Sequence, residues 1–188
     1  MMSGSAVPAE AIAGAIAAAQ GYLRLEAGQE TGQEAALLET LARAALDLAE
    51  SFCGQALIAR GFEDVLAVAP GWQRLRQAPV ARIAGVTGLR AAGAPFVMAT
   101  PDYALDIDAD GIGWVRVIAA GDATQVAVSY TAGVAADWAT LPAAVAQVLL
   151  LLIAHLFEHR EGDSAPPTAV AALWRPYRRL RLGRSVPV

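Results

Sequence analysis

The period of hydrophobicity changes twice along this chain, and that change restricts the fold more than any other feature. From Glu34 to Cys53, apolar residues recur at three- and four-residue steps (Leu37, Leu38, Leu41, Ala45, Leu48, Phe52), and Gly54 follows in the place of a helix-ending glycine. Between Ala56 and Gly133 the period falls to two. Short runs at Leu57–Val68, Arg82–Leu89, Phe96–Met98, Tyr103–Ile107, Trp114–Ile118 and Gln125–Tyr130 are separated by Gly, Pro and Asp, which predicts antiparallel strands. The helical period returns after Thr140 and Pro142 and runs to about Arg160.

Pro8 to Gln20 is small and apolar and predicts a first helix, with Gly21 opening a short stretch that carries Tyr22, Leu23 and Leu25. After Gly162, Asp-Ser-Ala-Pro-Pro-Thr is a linker; Ala169 to Trp174 is a short helix that Pro176 interrupts. Arg179-Leu180-Arg181-Leu182 alternates charge and leucine, which suits a strand. The expected class is therefore α+β: a helical bundle of residues 8–53 and 141–175, an inserted antiparallel β region of 57–131, and an extended C-terminal tail. The expected division is one domain, 1–175, with a docking tail of 176–188. At 188 residues, such a chain buries about 70% of its extended surface, so a core forms without staples.

Composition excludes several classes. Cys53 is the one cysteine, which rules out a disulfide framework and a zinc ribbon. The longest apolar run, Val148–Ala154, is far shorter than the ~20 residues of a membrane span, and the first residues have no signal-peptide pattern, so a soluble protein with no membrane partner is expected. Charge is unevenly spread. Residues 1–50 hold Glu10, Glu26, Glu30, Glu34, Glu39, Asp47 and Glu50 against Arg24 and Arg43, whereas Ser164–Val188 holds five arginines and no acid. Opposite fields at the two ends suit head-to-tail stacking or docking on acidic partners.

In the third long helix, Val145, Val148, Leu149, Leu152, Ile153 and Leu156 make one apolar face, and Leu150 and Leu151 carry apolar surface further round the cylinder. A helix apolar nearly all round needs cover on every side. With Phe157, the residues Leu150, Leu151 and Leu152 are expected to meet a neighbouring subunit.

His155-Leu156-Phe157-Glu158-His159 matches the H-x-x-E-H pattern of inverted zinc proteases, in which two histidines four apart hold the metal and the glutamate is the general base. A third ligand would come from Glu50, Glu161 or Asp163. A small zinc-dependent hydrolase is the alternative function; the plainer reading puts His155 near the end of a buried helix and His159 at its last turn, favourable to the helix dipole. Asp106-Ile107-Asp108-Ala109-Asp110-Gly111 opens like a calcium loop, but its twelfth position is Val117 and its flanks are strands, so a turn at Asp110-Gly111 is expected. There is no G-x-S-x-G, P-loop or G-x-G-x-x-G, and Cys53 at the end of an apolar face reads as a structural thiol. No catalytic residue and no cofactor is expected. Trp174, Arg175, Tyr177, Arg178, Arg179, Arg181 and Arg184 mix aromatics with arginines. In an acidic chain this composition favours a protein-docking hot spot over a nucleic-acid arm.

The order of elements, with several strings, resembles the head–tail connector, or adaptor, family of long-tailed phages and phage-like gene transfer agents. The strings are Tyr22-Leu23-Arg24-Leu25, Gly54-Gln55-Ala56-Leu57-Ile58, Val128-Ser129-Tyr130-Thr131-Ala132-Gly133, Leu141-Pro142-Ala143-Ala144-Val145, Leu150 to Glu161, and Leu173-Trp174-Arg175-Pro176-Tyr177-Arg178. The resemblance spans almost the whole chain, leaving Ala9–Ala19 and Ala91–Thr100 unmatched. Its usual pattern has tyrosine at Phe157 and asparagine at His159, which makes the H-x-x-E-H string a product of substitution.

The resemblance implies a structural virion protein: a cyclic homo-oligomer, typically a dodecamer, at the capsid–tail junction beneath the portal, with a stopper or tail-completion protein on its far side. DNA passes through the channel without sequence-specific binding, and the C-terminal segment reaches the portal.

Overall fold

The period-two stretch folds into seven short strands and an eighth comes from the N-terminus, all paired antiparallel: β1 (Met2–Gly4), β2 (Arg60–Ala67), β3 (Gln73–Arg74), β4 (Val80–Arg90), β5 (Phe96–Val97), β6 (Tyr103–Ile107), β7 (Gly113–Val117) and β8 (Ala123–Ala132). The computed structural model describes residues 2–25, 32–159 and 168–179. It divides into a β unit, Met1–Pro8 with Ile58–Ala136, and a helical unit, Ala9–Leu57 with Asp137–Val188. The α+β class is as the periodicity predicts, with β6 at its predicted bounds and the other predicted strands shifted at one or both ends by up to three residues. β1 and β3 have no counterpart in the sequence reading.

In the β unit, a five-stranded sheet of order β1-β2-β8-β4-β5 lies beside a three-stranded one of order β3-β7-β6. Strand alternation sends Phe62 and Asp64 of β2 and Val126, Val128, Tyr130 and Ala132 of β8 to one buried face, while Glu63, Ser129 and Thr131 take the other. Asp64 is fully buried on that apolar face and is held by hydrogen bonds. Its Oδ2 accepts from the Arg76 backbone N–H (2.6 Å) and the Tyr130 hydroxyl (3.1 Å), and the same hydroxyl accepts from the Gln77 N–H (3.0 Å). The buried carboxylate thus anchors the segment that leads from β3 into β4. Gly133 is required by close approach, because a Cβ there would lie 2.3 Å from the Ala59 backbone.

The Asp108 carboxylate closes the β6–β7 turn. Oδ1 accepts from the N–H groups of Asp110 (3.0 Å) and Ile112 (2.8 Å), Oδ2 accepts from the Trp114 indole (3.0 Å), and Gly111 takes φ +70°. This is the turn expected in place of a calcium loop.

The helical unit contains α1 (Ala9–Leu23), α2 (Gly32–Cys53), α3 (Ala143–Glu158) and α4 (Thr168–Trp174), followed by a 3-10 turn at Arg175–Tyr177. α1 runs through Gly21 instead of ending before it. Its buried stripe is small (Ala11, Ile12, Ala15, Ala19), and Gly14 lets Trp138 approach so closely that a Cβ would sit 2.7 Å from the Trp138 Cβ. Pro142 occupies the N-cap of α3, behind a turn in which the Thr140 N–H donates to the Asp137 carboxylate (2.8 Å). Leu38, Leu46, Leu149, Leu152 and Ile153 are the large core residues, each contributing about 1.5–3 kcal/mol by burial.

α2 buries a different stripe from the one its strongest leucines suggest. Leu38, Ala42, Ala45, Leu46, Ala49 and Cys53 are covered; Leu37, Leu41 and Phe52 are half-buried, and Leu48 is 49% exposed. With successive residues about 100° apart, Leu37, Leu41, Leu48 and Phe52 form one band adjacent to the core stripe. Alanines take the inner positions because they let the helices approach closely.

Candidate docking surfaces

The C-terminal end of α2 holds the root of the arginine-rich segment. Gly54 turns the chain with φ +67°, and its N–H donates to the Glu50 carbonyl (2.8 Å), while the Leu57 N–H donates to Glu50 Oε1 (2.8 Å). Against this end, the Arg179 N–H donates to the Cys53 carbonyl (2.8 Å) and Gln55 Nε2 donates to the Tyr177 carbonyl (2.8 Å). Trp174 packs on Phe52 with ring centroids 5.9 Å apart, and the Arg178 guanidinium lies 5.6 Å from the centroid of the same ring. The Gly54 carbon sits so near the Arg179 carbonyl oxygen that a Cβ would meet it at 3.0 Å. Burial pushes the Cys53 thiol up to about 11, helped by the neighbouring Glu50 charge, so it is a structural thiol as expected.

This geometry sorts the proposed portal-docking residues. Arg175 and Arg178 are exposed and Tyr177 and Arg179 are partly so, but Trp174 is 4% exposed and belongs to the core. An indole clamped against Phe52 has no surface to offer a partner, so Trp174 is corrected from docking residue to anchor. The 3-10 turn at Arg175–Tyr177 also spans the expected boundary at 175/176, and Arg179 lies in no strand. Arg181 and Arg184, with Leu180 and Leu182, fall outside the described residues.

The four expected ring-contact residues separate as well. Leu152 is 1% exposed, covered by its own unit, and is corrected to a core residue. Leu150 and Phe157 are half-buried on one flank of α3, with Leu151 and His155 on another, about 100° round the helix. The core face of α3 is buried within the chain, whereas the two flanks are only half-buried.

The His155 and His159 rings lie tilted against each other with centroids 4.3 Å apart, and the Nδ1–H of His159 donates to the His155 carbonyl (3.0 Å). Glu158 is exposed, and Glu50 is engaged at the end of α2. Among the described residues no group of three His, Cys, Asp or Glu side chains comes together as metal ligands; Glu161 and Asp163 lie outside them.

The sequence reading missed Gln55 and Gly54 as the grip on the C-terminal root, and the Leu37–Leu41–Leu48 band as a surface its own chain covers only in part. The available signal was a hydrophobic arc on α2 too wide for a single contact face.

Chains in three solved particle structures match this one over the full length of both partners. They are a chain from the neck of an empty GTA particle computed with C6 symmetry (30% identity, TM-score 0.80), one from the virion of a native gene transfer agent (GTA) particle (30%, 0.76), and one from the neck of a native GTA particle computed with C12 symmetry (29%, 0.75). The chain belongs to the phage-like head–tail connector family and is a structural virion component. No protein-family model and no curated protein matches it.

Proposed function

We propose that this chain is the adaptor of the particle neck: a non-enzymatic subunit of a closed ring, a dodecamer, seated between the portal and a stopper or tail-completion protein at the capsid–tail junction. The observation that carries this reading is the full-length likeness to neck chains of particles computed with C6 and C12 symmetry. The half-buried apolar flanks support it, because a ring subunit presents two different surfaces, one to each neighbour. Leu150 and Phe157 lie on one flank, Leu151 on another, and Leu37, Leu41 and Leu48 form the band on α2. DNA passes through the centre with no sequence-specific contact.

In this reading the C-terminal segment docks on the portal through Arg175, Tyr177, Arg178 and Arg179 at its root and Arg181 and Arg184 beyond. Phe52, Trp174 and Gln55 hold that root in place. Ending the chain after Arg179 spares every anchor: the truncated protein should unfold at the same temperature as the full chain and lose portal binding in a pull-down with the portal from the same element. Undiminished portal binding would contradict the assignment. Replacing both His155 and His159 with asparagine should leave assembly near normal.

A further inference from the structure

β6 presents an open edge whose side chains complement the chain's own C-terminus. It is the outer strand of its sheet, and among the described residues nothing pairs with its outer side. The ladder shows which groups remain. The Ile118 N–H donates to the Asp102 carbonyl (2.8 Å) and the Asp108 N–H to the Ile112 carbonyl (3.0 Å), so even-numbered residues face β7. Tyr103, Leu105 and Ile107 therefore turn their N–H and C=O groups outward. Leu105 is 37% and Ile107 39% exposed, and Asp106 is exposed on the opposite face. An edge that is both apolar and unpaired is a template for a further strand.

The segment that leaves the clamped root, beginning at Arg179, reads Arg179-Leu180-Arg181-Leu182. In an extended chain its leucines take one face and its arginines the other. Laid antiparallel with Arg181 opposite Asp106, it sets Leu182 against Leu105, Leu180 against Ile107 and Arg179 against Asp108. Every pair matches, apolar to apolar and cation to acid. A slip of one residue sets arginine against leucine or isoleucine throughout, and the parallel arrangement puts Gly183 against Asp108 and loses an ion pair.

We propose that, before the portal is met, the Arg179–Leu182 segment of one copy adds as a fourth strand to β6 of a second copy. The proposal rests on the reading of this segment as the one the portal captures. Pairing covers the alternating leucines and the open edge together, and portal binding competes with it. Such main-chain pairing with side-chain pockets of alternate character is how strand addition obtains both affinity and specificity.

The test uses the full-length protein without portal. Because Asp106 directs its own N–H and C=O to β7, Arg181 would face it as a non-hydrogen-bonded pair, with Cα atoms about 4.5 Å apart, inside the disulfide range. An equimolar mixture of the Asp106→Cys and Arg181→Cys proteins, oxidised mildly, should give a mixed disulfide dimer at least tenfold above that from Ile107→Cys with Arg181→Cys. Buried Cys53 does not compete. In sedimentation velocity, Arg181→Asp should weaken self-association and Asp106→Arg added to it should restore it. A disulfide that forms only within one chain of the double-cysteine protein, or yields no higher than the mismatched pair, would overturn the proposal. Neither result bears on the neck reading, which stands or falls on portal binding and on the particle.

Discussion

Trp174 separates what the C-terminal arginines do from what holds them. Its ring is buried on Phe52, and among the described residues its indole N–H has no acceptor. Packing is thus its contribution: Trp174→Ala should cost about 3–5 kcal/mol in urea unfolding, and Trp174→Phe much less. Cys53 is buried at the same end of α2, with the Glu50 charge beside it. With its thiol raised to about 11, the neutral form is favoured in the folded state. The associated stability is complete below the ordinary thiol value and fades as pH rises toward 11. Native protein should resist thiol reagents at pH 8 and react fully in denaturant; rapid native labelling would contradict the packing. Asp108 runs the other way. Hydrogen bonds from the Trp114 indole, and then from the Ile112 N–H, hold its carboxyl below the ordinary value of 3.8. Its contribution is complete above that value and is lost as pH falls through the lower folded one. Trp114 fluorescence should be flat from pH 5 to 8 and change only below about pH 4.

Among the elements, α2 carries the surface that most depends on a partner. Leu41→Glu with Leu48→Glu should leave the melting temperature within a few degrees and abolish ring assembly in light scattering. A large loss of stability would show instead that the band is covered within the subunit. Periodicity was enough to place α2, α3, β4, β6, β7 and β8, because each is long enough for its period to show. It could not reveal β1 or β3, which have three and two residues and form through backbone pairing with β2 and β7. Nor could it decide which stripe of α2 lies inward: Leu37, Leu41 and Leu48 are the larger residues, but Ala42, Ala45 and Ala49 permit the closer approach of helices. For the same reason Leu152 and Trp174 looked like partner contacts. A hydrophobic residue reads alike whether its own chain covers it or another does.

At the scale of the molecule, a helical unit with half-buried apolar flanks and a β unit with an open edge form one chain matched over its whole length by chains of GTA necks. The acid-rich first fifty residues and the acid-free last twenty-five put opposite charge at opposite ends of the sequence, a distribution that suits the proposed head-to-tail contacts. The most direct test is a cryo-EM reconstruction of particles from cells that produce this protein. The account predicts a closed ring of this chain at the capsid–tail junction, with the Leu41–Leu48 band between neighbours and the segment after Arg179 in contact with the portal. A resolved neck containing no density for this chain would contradict it.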